Sequence, residues 1–401
     1  MNYFDGERLR EKIEEKDSNE RLTNEEINEK YIKGEVRIVT EQGRFQLTTI
    51  ESIVEGEDYK LNPEFQRRHR WSVEKKSKLI ESFIMNVPIP PIFLYEVDFS
   101  VYEVMDGLQR LTAIYQFYKG GFALTGLEEW SELNGLRYTQ LPLQVKKGID
   151  RRYLSSMILL KETAKTSLEA ERLKQLVFER INSGGEHLEP QETRNALYNG
   201  SLNKLCINLS RDVNFCKMWG IPSPTKEELE TNEISPELAE NILFKKMGDV
   251  ELVLRFFAFR HLDKWEKMNL EDFLDYFLRE GNLLDQSILE SYKILFTETN
   301  KLVYDLFGMK AFCLYRERSG EWKWYDRPTK VVYDAIMYVM SQNLHNREFL
   351  LSRKEDINVK IQELYRKYYD EFEGRNTGRN NVIARINVIN DFIDKYIEEK
   401  Q

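Results

Sequence analysis

The sequence predicts an α+β protein with a mixed α/β half followed by a helical half. Short alternating apolar and polar runs bounded by turn residues recur between Val36 and Leu160, and such runs make half-buried strands. Amphipathic stripes of helical period lie between them, as in Leu79, Ile80, Phe83 and Ile84. Beyond Leu202 the strand-like runs give way to one helical stripe after another. The expected division is a solvated helical segment over 1–35, an α/β domain over 36–200 and a helical domain over 201–401. No internal repeat is present.

Taken in order, Val36 to Val39 and Arg44 to Thr49 read as two short strands around the turn Glu41-Gln42-Gly43. Ile50 to Val54 is a short amphipathic turn. Ser72 caps a helix that runs to about Met85 and stops before Pro88, Pro90 and Pro91. Ile92 to Tyr95 and Val101 to Met105 read as strands around a turn at Asp98 to Ser100. Asp106-Gly107 follows, then a helix from Leu108 to Tyr118 ended by Gly120-Gly121. Phe122 to Tyr138 looks hairpin-like. A helix near Leu143 to Lys147, a strand near Ser155 to Leu160 and a helix from Ser167 to Ile181 come next, then a helix from Pro190 to Tyr198. In the second half, helices are expected at Pro236 to Lys246, Val250 to His261, Leu270 to Glu280, Ser287 to Phe307, Pro328 to Gln342, Ile357 to Phe372 and Val382 to Glu399.

The bulk numbers narrow the function classes. A length of 401 residues with 41% hydrophobic content supports two domains with a sizeable core. The net charge of −9 argues against a stand-alone, sequence-blind DNA binder, and leaves room for a local basic groove. Cys206, Cys216 and Cys313 form no Cys-x-x-Cys pair, and their odd number is a poor disulfide framework, so a reducing, cytoplasmic setting is expected. Neither a signal segment nor a run long enough to span a bilayer is present, so no membrane partner is expected.

Three segments carry Arg beside small or amide residues, the combination that binds phosphate. In Asp106-Gly107-Leu108-Gln109-Arg110 a strand meets a helix. Asp106 there could hold a metal ion through water, orient a nucleophilic water or cap the helix; the plain alternative is an N-cap followed by a surface Gln-Arg pair. Gln66-Arg67-Arg68-His69-Arg70-Trp71 lies in an island with six Lys or Arg against two Glu over residues 61 to 80. It reads as a phosphate contact led by Arg67 or as a solvated loop, with Trp71 a core anchor in both cases. Asn182-Ser183-Gly184-Gly185 fits an anion nest or a glycine C-cap. The four histidines are isolated, which makes a structural zinc site a poor fit. No Walker A loop, Gly-x-Ser-x-Gly elbow or His-Glu-x-x-His pair occurs. The run Trp322-Lys323-Trp324-Tyr325 could stack nucleobases; a packed strand or helix entry is the preferred reading.

Taken together, Gln66-Arg67 to Trp71, Pro88-Ile89-Pro90-Pro91, Asp106 to Thr112, and Phe178, Asn182 and Gly184-Gly185 closely resemble the N-terminal domain family of the GmrSD-type modification-dependent restriction endonucleases. The resemblance covers roughly residues 36 to 200, with weaker similarity further on, as at Arg379 to Ile386. It implies a ParB/sulfiredoxin-like α/β core. It also implies that the Arg-bearing turn binds, and in some members hydrolyses, a nucleoside triphosphate, gating DNA cleavage in anti-phage defence. The family motif commonly reads Asp-Gly-Gln-Gln-Arg; Leu108 replaces the first amide here, while Asp106, Gly107, Gln109 and Arg110 match. Complete enzymes of this type carry a His-Asn-His nuclease after the helical region. His345 is the only late histidine, so a chain without that nuclease is expected.

The expected function is a nucleotide-binding module, at most a weak NTPase, of a prokaryotic restriction or anti-phage system. Asp106, Gln109 and Arg110 are the candidate catalytic residues. Gln66, Arg67, Gly107, Arg110, Asn182 and Gly184 are the candidate nucleotide- or phosphate-binding residues. Asp106 is the candidate Mg²⁺ ligand. The expected partner is a nuclease chain, with DNA bound indirectly, or weakly at the island from Arg67 to Lys78. The competing readings are a non-enzymatic adaptor or sensor and a ParB-like DNA nickase, the latter disfavoured by the acidic charge.

Overall fold

The computed structural model describes residues 3–10, 23–33, 38–61, 71–163, 167–182, 189–226, 228, 234–373 and 377–398. The chain divides into two compact units, Glu14–Leu188 and, in two pieces, Met1–Ile13 with Glu189–Gln401. The division falls twelve residues before the boundary read near residue 200, and the first residues group with the helical unit.

In the α/β unit, helix α1 (Asn24–Lys33) is a solvated helix, as expected. Thr23 and Glu26 cap it reciprocally: Glu26 N donates to Thr23 Oγ1, and Thr23 N to the Glu26 carboxylate. A five-stranded sheet follows, in the order β1 (Thr40–Gln46), β5 (Tyr153–Leu159), β3 (Ile92–Asp98), β4 (Val101–Asp106) and β2 (Tyr59–Lys60). The pair β3–β4 is an antiparallel hairpin, β3 runs parallel to β5, and β2 runs parallel to β4. The two strands expected around Glu41-Gln42-Gly43 are corrected to the single strand β1, which runs straight through that tripeptide, while residues 36 and 37 lie outside the described residues. Gly43 pairs with Ser156, and a Cβ on it would come within 2.6 Å of the Ser156 hydroxyl, so glycine marks a close strand approach there rather than a turn.

Ile92 and Leu94 alternate inward from β3 onto a core shared with Leu154, Ile80, Leu111, Ile114, Phe117 and Ile149. Helices α2 (Ile50–Glu55), α3 (Val73–Met85) and α4 (Leu108–Tyr118) supply most of it. The Ser72 hydroxyl caps α3 by accepting from Lys75 N. Asn86, in the left-handed region at φ 61°, ends α3 before the prolines are reached. The region 122–138 carries no strand. It keeps one hairpin-like rung, in which Leu124 N donates to Leu136 O and Gly135 N to Leu124 O. Buried Glu81 pins it by accepting from the backbone N–H groups of Glu128, Glu129 and Trp130. Helix α5 (Leu143–Asp150) precedes β5, and α6 (Ser167–Asn182) closes the unit's described part.

In the helical unit, α12 (Gly248–Ala258) is apolar nearly all round and buried, with Val250, Leu252, Val253, Leu254 and Phe257 inaccessible. Preceding it are α7 (Pro190–Leu197), α8 (Ser201–Leu209), α9 (Val213–Trp219), α10 (Pro236–Glu240) and α11 (Ile242–Lys245). After it come α13 (Leu270–Gly281), α14 (Gln286–Phe307), α15 (Lys330–Gln342), α16 (Arg347–Ser352), α17 (Lys354–Lys367), α18 (Tyr369–Phe372) and α19 (Arg379–Glu398). Two expected helices are each split. Asn241 leaves the helical region at ψ 122° and caps α11 through Phe244 N, and Tyr368 interrupts the other at ψ 35°. Among the described residues one element departs from an all-helical half, a hairpin of β6 (Cys313–Arg318) and β7 (Glu321–Pro328). Its strand β7 contains the Trp322-Lys323-Trp324-Tyr325 run, in keeping with a packed strand. Among the described residues no helix is long and apolar enough to cross a membrane.

Candidate functional site

The strand–helix turn after β4 is built around Gly107. Its φ of +93° favours glycine, and it stands as the N-cap of α4 with no side-chain cap. A Cβ there would fall 2.3 Å from Ile92 Cγ2 and 3.1 Å from a guanidinium nitrogen of Arg110. The missing Cβ therefore seats the turn against β3 and leaves room for Arg110 to fold back beneath it. Helix α4 starts directly at this turn, with Leu111 N donating to Gly107 O at 3.0 Å. Its first N–H groups precede the intrahelical ladder.

Arg110 turns inward rather than projecting from the first helical turn. Its Nη2 donates to Asp106 Oδ2 at 2.5 Å and its Nη1 to the Pro90 carbonyl at 2.6 Å. The Arg110 side chain is 11% exposed, whereas Asp106 remains 38% exposed. This corrects the picture of a surface Gln-Arg pair: Arg110 is buried, and Asp106 braces it instead of capping the helix. Gln109 is also engaged, its Oε1 accepting from Trp71 N at 3.2 Å. Trp71 packs on the core as expected, and Lys75 Nζ lies 4.9 Å from its ring centre.

The sheet brings the described flanks of a second segment near this turn. Strand β2 lies beside β4 and parallel to it, with Lys60 opposite Glu103, so the chain leaves β2 at the end of the sheet where Asp106 stands. It re-enters the described structure at Trp71, bonded to Gln109. Gln66 and Arg67 lie between these two anchors, outside the described residues, as does Gly184. Asn182 is the last residue of α6. Sequence reasoning missed two features. The Pro90 carbonyl fixes Arg110, and the motif Pro-Ile-Pro-Pro hinted at it only as a helix stop. Lys174 on α6 donates to Glu103 on β4 at 2.5 Å, with both side chains under one-fifth exposed.

Mg²⁺ fits this turn only with help from a ligand. Asp106 is accessible, but among the described residues no three His, Cys, Asp or Glu side chains gather to share a metal ion. Mg²⁺ is ordinarily held by one or two carboxylates together with substrate phosphates and water, which a single accessible carboxylate permits.

Residues 50–199 match the family model described as GmrSD restriction endonuclease, N-terminal domain. The match begins after β1, fourteen residues later than the resemblance suggested, and extends two residues past the end of α7. No curated protein and no solved structure matches the chain.

Proposed function

We propose that residues 50–199, which match the N-terminal domain model of that restriction family, bind a nucleoside triphosphate and serve a restriction or anti-phage system as its nucleotide-responsive module. The single observation that carries this reading is the convergence at Asp106-Gly107. There the open N-terminus of α4, a buried arginine and the two anchors of the Arg67 segment share one end of the sheet. Helix N-termini and arginine forks are the two protein devices best suited to phosphate.

In this reading Arg110 grips phosphate oxygen and Gln109 orients the group. The Asp106–Arg110 pair works as an exchange. An incoming phosphate competes with the carboxylate for the guanidinium, while the Pro90 carbonyl keeps the arginine in place. Released from Arg110, Asp106 becomes available to Mg²⁺ or to a water. Mg²⁺ would supply charge neutralisation for the phosphates. Leu108 is buried and contributes no amide, so hydrolysis is expected to be weak. The same residue supports a second reading, an adaptor that binds the nucleotide without turning it over. In either case, DNA cleavage would fall to a nuclease partner.

Calorimetric titration with the common nucleoside triphosphates, with and without Mg²⁺, tests the proposal. Arg110→Ala should weaken binding by about 1.5–3 kcal/mol, and Arg110→Lys should recover only part of it. Absence of binding at millimolar triphosphate would remove the nucleotide reading. Phosphate release by the intact chain, lost in Asp106→Ala, would favour the weak NTPase over the adaptor.

A further inference from the structure

The hairpin β6–β7 has two unlike faces. One is aromatic and half-buried. Tyr315 stands opposite Trp324, Trp324 meets Tyr365 of α17, and Trp322 meets Tyr369 of α18. The other is cationic and open. Arg318, Lys323 and Arg327 are exposed, and with Arg316, Tyr325, Asp326 and an edge of Trp324 they line a concave surface. The Arg316 guanidinium carbon lies 3.8 Å from the Tyr325 ring centre, so the ring supports this arginine from one side. The register shifts between the pairs Tyr315–Trp324 and Cys313–Pro328, and this irregularity places Tyr325 to Arg327 around the concavity.

One pairing of charge here opposes stability. Arg316 lies directly opposite Lys323 in the ladder, and like charges so placed weaken strand pairing, whereas Arg318 lies opposite Glu321. Among the described residues none of Arg316, Arg318, Lys323 and Arg327 is in an ion pair, although the chain carries nine more acidic than basic groups. A polyanion brought to this face would relieve that repulsion.

We propose that this face of the hairpin contacts the phosphate backbone of duplex DNA. Strands in a ribbon lie about 4.8 Å apart and alternate residues about 6.7 Å apart, so the four cations form a small array on a narrow ribbon. A two-stranded ribbon is narrow enough for a major groove about 12 Å wide. Guanidinium groups suit phosphate oxygens, and three of the four cations are arginines. A lipid surface fits less well, because surface-bound elements insert apolar side chains and the exposed residues of this face are charged. The hairpin lies outside residues 50–199, so this inference goes beyond the nucleotide reading and does not depend on it.

The test is fluorescence anisotropy of the full chain with a labelled duplex of unmodified DNA over a salt series. Arg318→Gln with Lys323→Gln should weaken binding at least about tenfold at low salt and reduce the salt slope by about 2. Arg318→Lys with Lys323→Arg should keep both. Both positions are exposed, and an unchanged melting temperature will show that the fold is intact. Nucleotide titration of the Gln variant should match the wild type, which separates this surface from the α/β site. The proposal is overturned if the wild type binds no duplex at low salt, or if the Gln variant binds as the wild type does. It is equally overturned if only Arg67→Ala abolishes binding, or if the cationic face prefers phosphatidylserine vesicles or single strands to duplex.

Discussion

Two arginine–aspartate pairs use the same chemistry in opposite surroundings. In the helical unit, Arg255 on α12 and Asp334 on α15 are joined by two hydrogen bonds and are each 2% exposed. In the α/β unit, Arg110 is nearly as covered, but its partner Asp106 is 38% exposed. A closed pair can only hold elements together, since no ligand reaches it. A pair open on the carboxylate side can exchange that carboxylate for another anion. The comparison explains why an arginine-rich interior need not mean many sites. Arg194, Arg255, Arg260 and Arg385 are all buried in the helical unit, and Arg194, Arg255 and Arg260 are fastened to acidic partners there.

Breaking each pair gives the largest expected effect. Arg255→Ala strands a buried carboxylate and should cost about 3–5 kcal/mol in urea unfolding, with hydrogen exchange reporting loss of protection in the helical unit. Arg110→Ala leaves Asp106 free to hydrate and should cost clearly less stability, while weakening the proposed nucleotide binding. A larger stability loss from Arg110→Ala than from Arg255→Ala would abolish the distinction between structural and exchangeable pairs.

A pH series sharpens the contrast through a second closed cluster. Glu7 is fully buried against Arg260, His261 and Tyr292. Burial alone would raise its carboxyl, but hydrogen bonds from His261 and Arg260 and the Arg260 charge outweigh this and lower it from 4.5 to about 2. A lowered carboxyl stabilises the folded state above its unfolded value. That contribution, roughly 3 kcal/mol, should be lost as pH falls from 4.5 to about 2. Glu7→Gln should flatten this part of the stability curve, and an unchanged acid profile in that variant would exclude Glu7 as its source.

The smallest expected effect isolates the turn. Gly120 also has positive φ, at +68°, but a Cβ there meets nothing within 4 Å. Gly120→Ala should therefore report backbone strain alone, about 1 kcal/mol. Gly107→Ala adds the collision with Ile92 and displaces Arg110, and should cost roughly 2–3 kcal/mol together with the proposed nucleotide affinity. Equal costs for the two variants would mean that Ile92 yields and that the close approach is unimportant.

What could be read from the sequence was local. The Ser72 cap, the α4 stripe and the Asp106-Gly107 turn depend on neighbours within a few residues, and the structure keeps them. The pairing of β1 with β5 joins Gly43 to Ser156, and no local pattern encodes a partner so distant. Gly43 reads as a turn residue in the sequence because glycine serves turns and close strand contacts equally. Asp106, Gly107, Gln109 and Arg110 were legible as a group, but the Pro90 carbonyl that holds Arg110 carries no side-chain signature. The hairpin in the second half escaped because its Trp-Lys-Trp alternation is short and set among long helical stripes.

The grouping of Met1–Ile13 with Glu189–Gln401 bears on how the chain is made. Glu7 reaches Arg260 across 253 residues of sequence. At ribosomal rates, Glu7 emerges roughly ten to fifty seconds before that partner exists. The α/β unit is complete by Leu188 and can fold in this interval on its own contacts. The helical unit must wait to recover its first segment, which gives it many non-local contacts and the slower expected folding. A ribosome paused after Leu188 would thus carry a finished domain with its leading peptide still unclaimed.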